Sequence, residues 1–383
     1  MALLLTLNAG SSSLKFGVYR KADEPDLIIA GQVERLGPDA RMVIDGEDDR
    51  PLGMTDHTRA LDEILTTVWD HIGGEAITGV GHRIAHGGTD FLGPTVLTEA
   101  VLVKLRLLAP LAPLHQPHNL TCVDAAIATF PDAVQMGCFD TSFHRGHPWV
   151  NDTFALPRRF YREGVRRYGF HGLSYDYITG VLAERHPNLT KGRLVVAHLG
   201  NGASICAIKE GKSLASTMGF SALDGLPMGT RSGQLDPGVL LYLMDQRGMS
   251  AAELTTLLYR ESGILGLSGL TSDMRTLEAS DAPEAAQAID YYVFRLQREI
   301  GAMAASLGGI DGLVFTGGIG ENSRLIRARA TEALGFMGIA IDEAANRENR
   351  EEIGTGDTRV LVIPTDEERV IARALCATPQ AVS

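Results

Sequence analysis

Three apolar runs in this chain end in the same way, and this shared pattern constrains the fold more than any other feature. The runs lie at 3–13, 193–204 and 312–322, and each passes from Leu-, Val- or Ile-rich residues into a turn rich in Gly, Asn or Ser. Runs of this kind are typical of buried strands, and glycine permits turns that other residues cannot make. Helical patterns at 55–72 and 285–307 lie between the runs. Strands that alternate with helices predict an α/β fold.

The first two strand–turn units lie near the start of each half of the 383-residue chain. A chain of this length can bury two separate cores. We therefore predict two similar α/β domains, 1–148 and 149–367, with a final helix at 368–383 that completes the first domain. Gly and Pro break the pattern at 143–152, which places the boundary there.

Charge and composition exclude several classes of function. The net charge of −12 disfavours binding to nucleic acid or to an anionic membrane surface. The chain has four cysteines and no C-x-x-C pair, which argues against a disulfide framework or a structural zinc site and predicts a cytoplasmic location. No window has the length and apolar character of a membrane span, and no basic residue precedes the first apolar run as a signal peptide would require.

The segment NAGSSSLKF at 8–16 is the first candidate site. Its Gly- and Ser-rich turn follows a strand and offers backbone N–H groups, hydroxyls and the Lys15 ammonium, the parts of an anion-binding nest. An ordinary hairpin turn is the alternative. Three such turns in one chain favour phosphate or nucleotide binding, although none completes a Walker loop or G-x-G-x-x-G. The GKS at 211–213 is better interpreted as a hairpin turn.

The segment at 80–88 places Arg83 between two histidines, His82 and His86. On a helix this spacing could bind zinc, but Arg83 replaces the glutamate of H-E-x-x-H and glycines flank the segment. Arg83 is the stronger candidate because a guanidinium binds carboxylate or phosphate through two parallel bonds; a structural salt bridge is the alternative. Asp140 ends a predicted strand, where it could orient a catalytic group or simply cap a turn.

Further candidates lie in the second half of the chain. An arginine-rich run at 144–172 contains the glycine-flanked His171 and favours an anion site, although such a run is usually a solvated helix face. Arg231 lies in a turn-rich loop, where it could stabilise a transferring phosphoryl group or bond the backbone. Glu367 or Glu368 begins the last helix, as a capping acid or a magnesium partner.

Together these segments resemble the acetate kinase family of the sugar kinase, Hsp70 and actin superfamily. The matching blocks follow in order along nearly the whole chain: LTLNAGSSSLKF, GHRIAHGG, FDTSFH, YGFHG, HLGNGAS, GTRSGQLDPG, FTGGIGEN and IPTDEE. The resemblance implies two actin-like (ribonuclease H-like) domains with a nucleotide cleft between them. It also implies reversible, ATP-dependent phosphorylation of acetate to acetyl phosphate, with propionate or other short-chain carboxylates as the alternative substrate.

The resemblance assigns roles to particular residues. Those implied to be catalytic are Asp140, His171 and Arg231; those implied to bind substrate are Arg83 and Arg231; those implied to hold Mg²⁺, with Mn²⁺ as a substitute, are Asn8 and Glu367. Those implied to bind the nucleotide are Ser11, Ser13, Lys15, His198, Leu199, Gly200, Asn201, Gly202, Asp273, Met274, Arg275, Gly318, Ile319, Gly320, Glu321 and Asn322. A homodimer formed through the second domain is implied as well.

The sequence departs from the family's usual residues at four positions, Gln116, Tyr175, Gly229 and Gln234, which bear on the preference for acyl chain length.

Transfer of phosphate to a carboxylate needs charge neutralisation and alignment rather than a protein nucleophile, so we expect direct transfer with domain closure over ATP. Two rival functions are a polymerising, nucleotide-gated protein of the actin type and a zinc hydrolase. The zinc hydrolase would be built on His82, His86, His144 and His147.

Overall fold

The computed structural model describes residues 2–10 and 13–378. Its strands are β1 (Leu3–Ala9), β2 (Ser13–Arg20), β3 (Asp26–Glu34), β4 (Gly37–Ile44), β5 (Arg50–Thr55), β6 (Ile77–Ile84), β7 (Thr95–Val96), β8 (Val134–Phe139), β9 (Arg193–Leu199), β10 (Ala203–Lys209), β11 (Lys212–Ser216), β12 (Gly312–Thr316) and β13 (Arg359–Val362).

The helices lie between these strands and after the last of them. They are α1 (His57–Ile72), α2 (Glu99–Leu107), α3 (Gln116–Thr129), α4 (Trp149–Asp152), α5 (Arg158–Arg162), α6 (Gly172–Arg185), α7 (Pro187–Thr190), α8 (Pro237–Arg247), α9 (Ala251–Arg260), α10 (Gly263–Ser268), α11 (Met274–Glu278), α12 (Pro283–Leu307), α13 (Gly317–Asn322), α14 (Arg324–Glu332), α15 (Glu343–Arg347) and α16 (Glu367–Ala377). Short 3-10 turns form at Ala109–Leu111, Ser142–His144 and Gly335–Met337. None of the helices in the described part of the chain is long and apolar enough to cross a bilayer.

The chain divides into two compact units. Unit 1 comprises the described residues up to Phe143 together with those from Asp366 onward, and unit 2 is His144–Thr365. The sequence-based boundary at 148/149 lies slightly later. His144 belongs to unit 2 because its ring bonds Ser213 and the carbonyl oxygen of Phe170.

The described strands of unit 1 form an eight-stranded sheet in the order β5-β4-β3-β2-β1-β6-β8-β7. All of β1 is buried, and β1 pairs antiparallel with β2 and parallel with β6. Side chains alternate between the two faces of a strand. On one face of β1, Leu3, Leu5 and Leu7 join the core beneath α1 and α3. Helix α16 also packs against β1 and β6.

The described strands of unit 2 form a five-stranded sheet in the order β11-β10-β9-β12-β13. The long helix α12 contributes much of the core that covers β9 and β10. The strands β3-β2-β1-β6-β8 of unit 1 follow the same order. In each unit the strand that comes first in the chain, β1 or β9, lies in the middle of these five. Two strands joined by antiparallel pairing lie on one side of it, and two strands joined by parallel pairing lie on the other. The prediction of two similar α/β domains is confirmed.

Local predictions mostly agree with these bounds. The patterns at 55–72 and 285–307 form α1 and α12, and 211–213 belongs to the β10–β11 hairpin. The turn predicted after the third apolar run is wrong, since Gly317–Asn322 forms a short helix. The Gly317 N–H donates to the Glu321 carboxylate at 2.8 Å, which stabilises a helical turn that glycine alone would disfavour.

Candidate active site

The first candidate segment forms part of the β1–β2 hairpin of unit 1. The Gly10 N–H donates to the Ser13 carbonyl oxygen at 2.8 Å, and Asn8 in β1 lies directly opposite Lys15 in β2. The described backbone of this segment therefore belongs to a hairpin, in which Asn8 and Lys15 are cross-strand neighbours. Ser11 lies outside the described residues.

Arg83 and Asp140 form a two-bond ion pair at the ends of neighbouring strands. Arg83 lies near the end of β6 and Asp140 directly follows the parallel strand β8. The Nε–Oδ1 distance is 2.9 Å and the Nη2–Oδ2 distance is 2.6 Å. Burial lowers the pKa of Arg83, but the carboxylates of Asp140 and Glu367 outweigh burial and raise the pKa above its ordinary value. The guanidinium therefore stays charged.

Asn8 connects this ion pair to two glutamates at the start of α16. Its Oδ1 accepts from Arg83 Nη1 at 3.0 Å, and its Nδ2 donates to Glu367 at 3.0 Å and to Glu368 at 2.8 Å. Burial raises the pKa of Glu368; the Lys15 ammonium opposes this rise and the Glu367 carboxylate adds to it. Two carboxylates thus lie where a cation would relieve their mutual repulsion.

These oxygen donors suit Mg²⁺. Within the described residues there is no cluster of three or more His, Cys, Asp or Glu side chains placed to hold a metal. Mg²⁺ does not need one, because it usually takes one or two carboxylates and completes its shell with waters and substrate phosphates. Glu367 and Glu368 fit that pattern. Asn8 contacts them through its amide nitrogen, so in this arrangement it positions the glutamates.

In unit 2, His171 immediately precedes α6 and has a left-handed backbone, with φ of 57°. A non-glycine residue in this region is strained and must be held by its surroundings. The carbonyl oxygen of the preceding residue, Phe170, accepts from His144 Nε2 at 2.9 Å. The His171 ring stacks on His198 with centroids 4.3 Å apart, and its Nδ1 lies 2.8 Å from Ser204 Oγ.

The other ring nitrogen of His171 faces the turn between β9 and β10. A Cβ added to Gly202 would lie 3.2 Å from His171 Nε2 and 3.8 Å from Arg231 Nη1. The imidazole and the guanidinium therefore converge on the same backbone surface, where glycine leaves space. Arg231 Nη1 also donates to the Ala222 carbonyl oxygen at 3.0 Å, the backbone bond that the structural alternative expected.

The predicted nucleotide-binding segments of unit 2 begin at neighbouring strand ends. In the parallel pair β9–β12, His198 lies opposite Thr316, so the turn at 198–202 and helix α13 start at the same edge of the sheet. The Glu321 carboxylate accepts from the N–H groups of Gly317 at 2.8 Å and Thr365 at 3.0 Å. This carboxylate therefore fixes the local backbone.

The third nucleotide-binding segment, 273–275, begins α11. Asp273 caps this helix by accepting the Arg275 N–H at 2.8 Å, and it also pairs with the exposed Arg275 guanidinium at 2.9 Å. At the other end of α11, Glu278 accepts from Ser323, the residue that follows α13. The structure thus brings the three segments of unit 2 into one neighbourhood.

The model of the Acetokinase family matches residues 3–373. The chain belongs to the acetokinase family. The acetate kinase of Methylocella silvestris is 53% identical and the match covers 97% of this chain and 96% of that protein. The acetate kinase of Nitrobacter hamburgensis is 47% identical, with 97% of this chain and 95% of that protein covered.

Two solved structures are similar to this chain throughout their length. Porphyromonas gingivalis acetate kinase is 40% identical with a TM-score of 0.85, and the match covers 97% of this chain and 98% of that one. A propionate kinase from Francisella tularensis is 32% identical with a TM-score of 0.91, and the match covers 98% of this chain and 99% of that one. The expected resemblance and the two-domain, actin-like fold are confirmed.

Three of the positions expected to differ from the family's usual residues make structural contacts. A Cβ at Gly229 would lie 2.1 Å from Asn201 Oδ1, so any larger residue would displace that side chain. Gln234 accepts from Arg295 at 3.1 Å and also from Arg298. Buried Gln116 bonds both the N–H and the carbonyl oxygen of residue 86, at 3.1 and 3.0 Å.

The zinc alternative finds no support in this acetokinase. His82 lies in a strand rather than a helix and donates to Gln135 at 2.8 Å, and burial lowers its pKa to about 4. His86 lies in unit 1, as His82 does. His144 and His147 belong to unit 2, where both rings contact the Ser213 hydroxyl, at 2.8 and 2.7 Å.

Three arginines of the arginine-rich run form ion pairs within unit 2. Arg145 and Arg166 both pair with Asp152 at 3.4 Å, and Arg167 pairs with Asp224 at 3.1 Å. These ion pairs fix the segment that leads to His171.

Ser204 was not considered in the sequence analysis, Tyr175 was treated only as a departure from the family, and Glu368 was given as an alternative to Glu367 but not among the implied metal-site residues. Glu368 adjoins Glu367, and a doubled acid at a helix start was the available signal. Ser204 lies within the HLGNGAS block, two residues past the glycine turn. Its pairing with His171 depends on contact between α6 and β10, for which the sequence carries no local signal.

Proposed function

We propose that this acetokinase transfers the γ-phosphoryl group of ATP directly to the carboxylate of acetate, and in reverse from acetyl phosphate to ADP. The observation that carries the proposal is the convergence of His171 Nε2 and Arg231 Nη1 on Gly202. Two donors aimed at one surface can stabilise the charge that spreads over the equatorial oxygens of a transferring phosphoryl group. Neither group is a nucleophile in this role.

Arg83 is proposed to bind the acetate carboxylate. A guanidinium has five N–H groups, and the bonds to Asp140 and Asn8 use three of them. The remaining two N–H groups are the proposed donors to the substrate. Holding the acceptor in one orientation converts an encounter of two anions into an aligned attack.

Asp140 is proposed to position Arg83 rather than to be phosphorylated. Both of its carboxylate oxygens accept from the guanidinium, and the side chain is only 2% exposed. A carboxylate held in this way is a poor candidate for attack on ATP. This arrangement supports direct transfer without a phosphoenzyme.

Mg²⁺ is proposed to be held at Glu367, with Glu368 as a second carboxylate and Asn8 orienting both. When bound, the cation supplies charge neutralisation to the phosphates. Mn²⁺ is the expected substitute, because it prefers the same oxygen donors. The segments 198–202, 273–275 and 318–322 of unit 2 are proposed to bind the nucleotide, together with Ser13 and Lys15 of unit 1.

A coupled assay tests this function. The enzyme is incubated with Mg-ATP and acetate, propionate or butyrate, and the acyl phosphate is trapped with hydroxylamine. We expect acyl hydroxamate with acetate and no ATP consumption without a carboxylate. With ATP that is chiral at the γ-phosphate, direct transfer inverts the configuration. Retention of configuration would refute it.

Propionate is the second candidate substrate. One of the similar structures is a propionate kinase, with a TM-score of 0.91. One methylene is worth only about 1–3 kcal/mol of discrimination in a hydrophobic pocket, so the two acids are close competitors. The ratio of kcat/KM for acetate and propionate in the same assay decides between them.

We also propose a homodimer formed through unit 2. Every residue of α8 is at least partly exposed, and the helix presents Leu241, Tyr242 and Met244 at 67%, 50% and 49% exposure. Phe294 of α12, in the same unit, is 61% exposed. A surface that exposes several large apolar side chains is typical of a protein–protein interaction site. A cytoplasmic location is proposed from the four free cysteines.

A further inference from the structure

Tyr175 is one of the four residues that the sequence analysis expected to differ from the family, and its hydroxyl contacts Ser204, the hydrogen-bond partner of His171. We propose that Tyr175, acting through Ser204, fixes His171 in the tautomer whose proton is on Nε2. This proposal rests on the role proposed above for His171, since the Nε2 proton is the one that would face the phosphoryl group.

The proposal rests on three side chains that are joined by two hydrogen bonds. Tyr175 Oη lies 2.5 Å from Ser204 Oγ, and Ser204 Oγ lies 2.8 Å from His171 Nδ1. Tyr175 and Ser204 are both fully buried, and the bond between them is shielded from solvent. Tyr175 stands one helical turn beyond His171 in α6, and β10 supplies Ser204 between the two side chains.

The direction of the hydrogen bonds follows from acidity. A phenol is more acidic than an aliphatic alcohol, so in a contact between the two the phenol donates. Burial raises the pKa of Tyr175 well above its ordinary value, which keeps the phenol protonated. Tyr175 therefore donates to Ser204 Oγ, and the single hydroxyl proton of Ser204 is directed to His171 Nδ1.

An imidazole whose Nδ1 accepts a hydrogen bond carries its proton on Nε2 when neutral. Nε2 is the atom that faces Gly202, next to Arg231 Nη1. In the opposite tautomer a lone pair would point there and would repel the oxygens of a phosphoryl group. The Tyr175–Ser204 contact thus determines whether His171 presents a donor or an acceptor. Tyr175 is a positioning residue, because it acts through Ser204 and His171.

The test measures the tautomer directly. The full-length protein is labelled with ¹⁵N-histidine, and two-bond ¹H–¹⁵N correlation spectra are recorded in mildly alkaline buffer, where an ordinary histidine is neutral. His171→Asn assigns the signals. We expect a protonated Nε2 and an unprotonated Nδ1 in the unaltered protein, and a mixture of tautomers in Tyr175→Phe and Ser204→Ala.

The matched control is Tyr292→Phe. Tyr292 is a fully buried tyrosine of the same unit, and its hydroxyl has no hydrogen-bond partner among the described residues. This variant removes a buried phenol hydroxyl without touching the chain of bonds to His171. Its tautomer spectrum and kcat should match those of the unaltered protein.

Kinetics give a second measurement. Loss of the tautomer bias is expected to lower kcat about three- to tenfold in Tyr175→Phe, with KM for acetate within about twofold, the scale of one buried hydrogen bond. A proton found on Nδ1 in the unaltered protein, or an unchanged tautomer in Tyr175→Phe, would overturn the proposal. If Tyr175→Phe fails to fold, Ser204→Ala decides on the same spectra.

The proposed function can be refuted by a different experiment from the one that refutes the tautomer proposal. Full activity in His171→Asn would remove His171 from the reaction, whereas the tautomer result would still stand on the spectra alone.

Discussion

Replacing Asp140 with Asn tests whether the Arg83–Asp140 pair serves catalysis as well as stability. The carboxylate accepts two bonds from the guanidinium, at 2.9 and 2.6 Å, and is 2% exposed. Asparagine keeps the shape and one acceptor oxygen, but its NH₂ group then faces an N–H of Arg83. The variant therefore loses one charge-assisted hydrogen bond to Arg83 and places two N–H donors against each other.

The expected cost follows from these contacts. A hydrogen bond to a charged group contributes about 1.5–3 kcal/mol, so we expect the free energy of unfolding to fall by about 2–3 kcal/mol. Arg83 retains Asn8 at 3.0 Å and the more distant Glu367 at 3.8 Å, so the guanidinium should stay in place only loosely. Misplacement of a substrate-positioning group by about 1 Å can cost a hundredfold in rate, and kcat should fall by at least about that factor.

Urea denaturation and the hydroxamate assay measure the two effects on the same preparation. Asp311→Asn is the matched control, because Asp311 also pairs with an arginine through two bonds, at 3.0 and 2.6 Å to Arg193, but both side chains are 38% exposed. This control should change stability little and leave kcat unchanged. A folded Asp140→Asn enzyme with nearly normal kcat would show that the buried pair is structural only.

Three further predictions concern other parts of the molecule. Arg231→Ala should lower kcat about a thousandfold, by analogy with arginine fingers, and a loss below about tenfold would exclude that role. Burial lowers the pKa of His82 and of His144 to about 4, so the unfolded chain takes up these protons first as the pH falls below the ordinary value of 6.5. Each histidine should therefore remove about 2 kcal/mol of stability by about pH 5, and urea midpoints for His82→Gln should depend less on pH than those of the unaltered protein. Leu241→Arg, on the exposed face of α8, should yield monomers in sedimentation velocity; an unchanged dimer would place the interface elsewhere.

Much of the fold could be predicted because its signals are local. The run at 3–9 is apolar at five of its seven positions, as expected of a strand buried on both faces, and it forms β1. The helix at 55–72 shows an apolar stripe with a suitable cap at Asp56. Helix α13 was missed because two glycines begin it, and its stability comes from the Glu321 carboxylate and from Thr365, which is distant in sequence.

The candidate site could be predicted only in part, for the same physical reason. Residues at the ends of buried strands, such as Asn8, Arg83 and Asp140, stand out because polar groups rarely follow apolar runs without a reason. Their partners do not stand out. Asp140 meets Arg83 only because β6 and β8 are parallel neighbours, and Asn8 meets Glu367 only because α16 returns to β1 from the far end of the chain.

The same distinction explains why Tyr175 was noticed but could not be interpreted. As an isolated departure it indicates nothing, because tyrosine in a helix is more often part of a core. Its position next to Ser204 depends on the angle at which α6 leaves the strained backbone of His171, where φ is 57°. His144 bonds the carbonyl oxygen of Phe170, the residue before His171, from outside the helix. The chemistry at His171 therefore depends on residues from three separate segments, and local patterns identify the histidine without its tautomer.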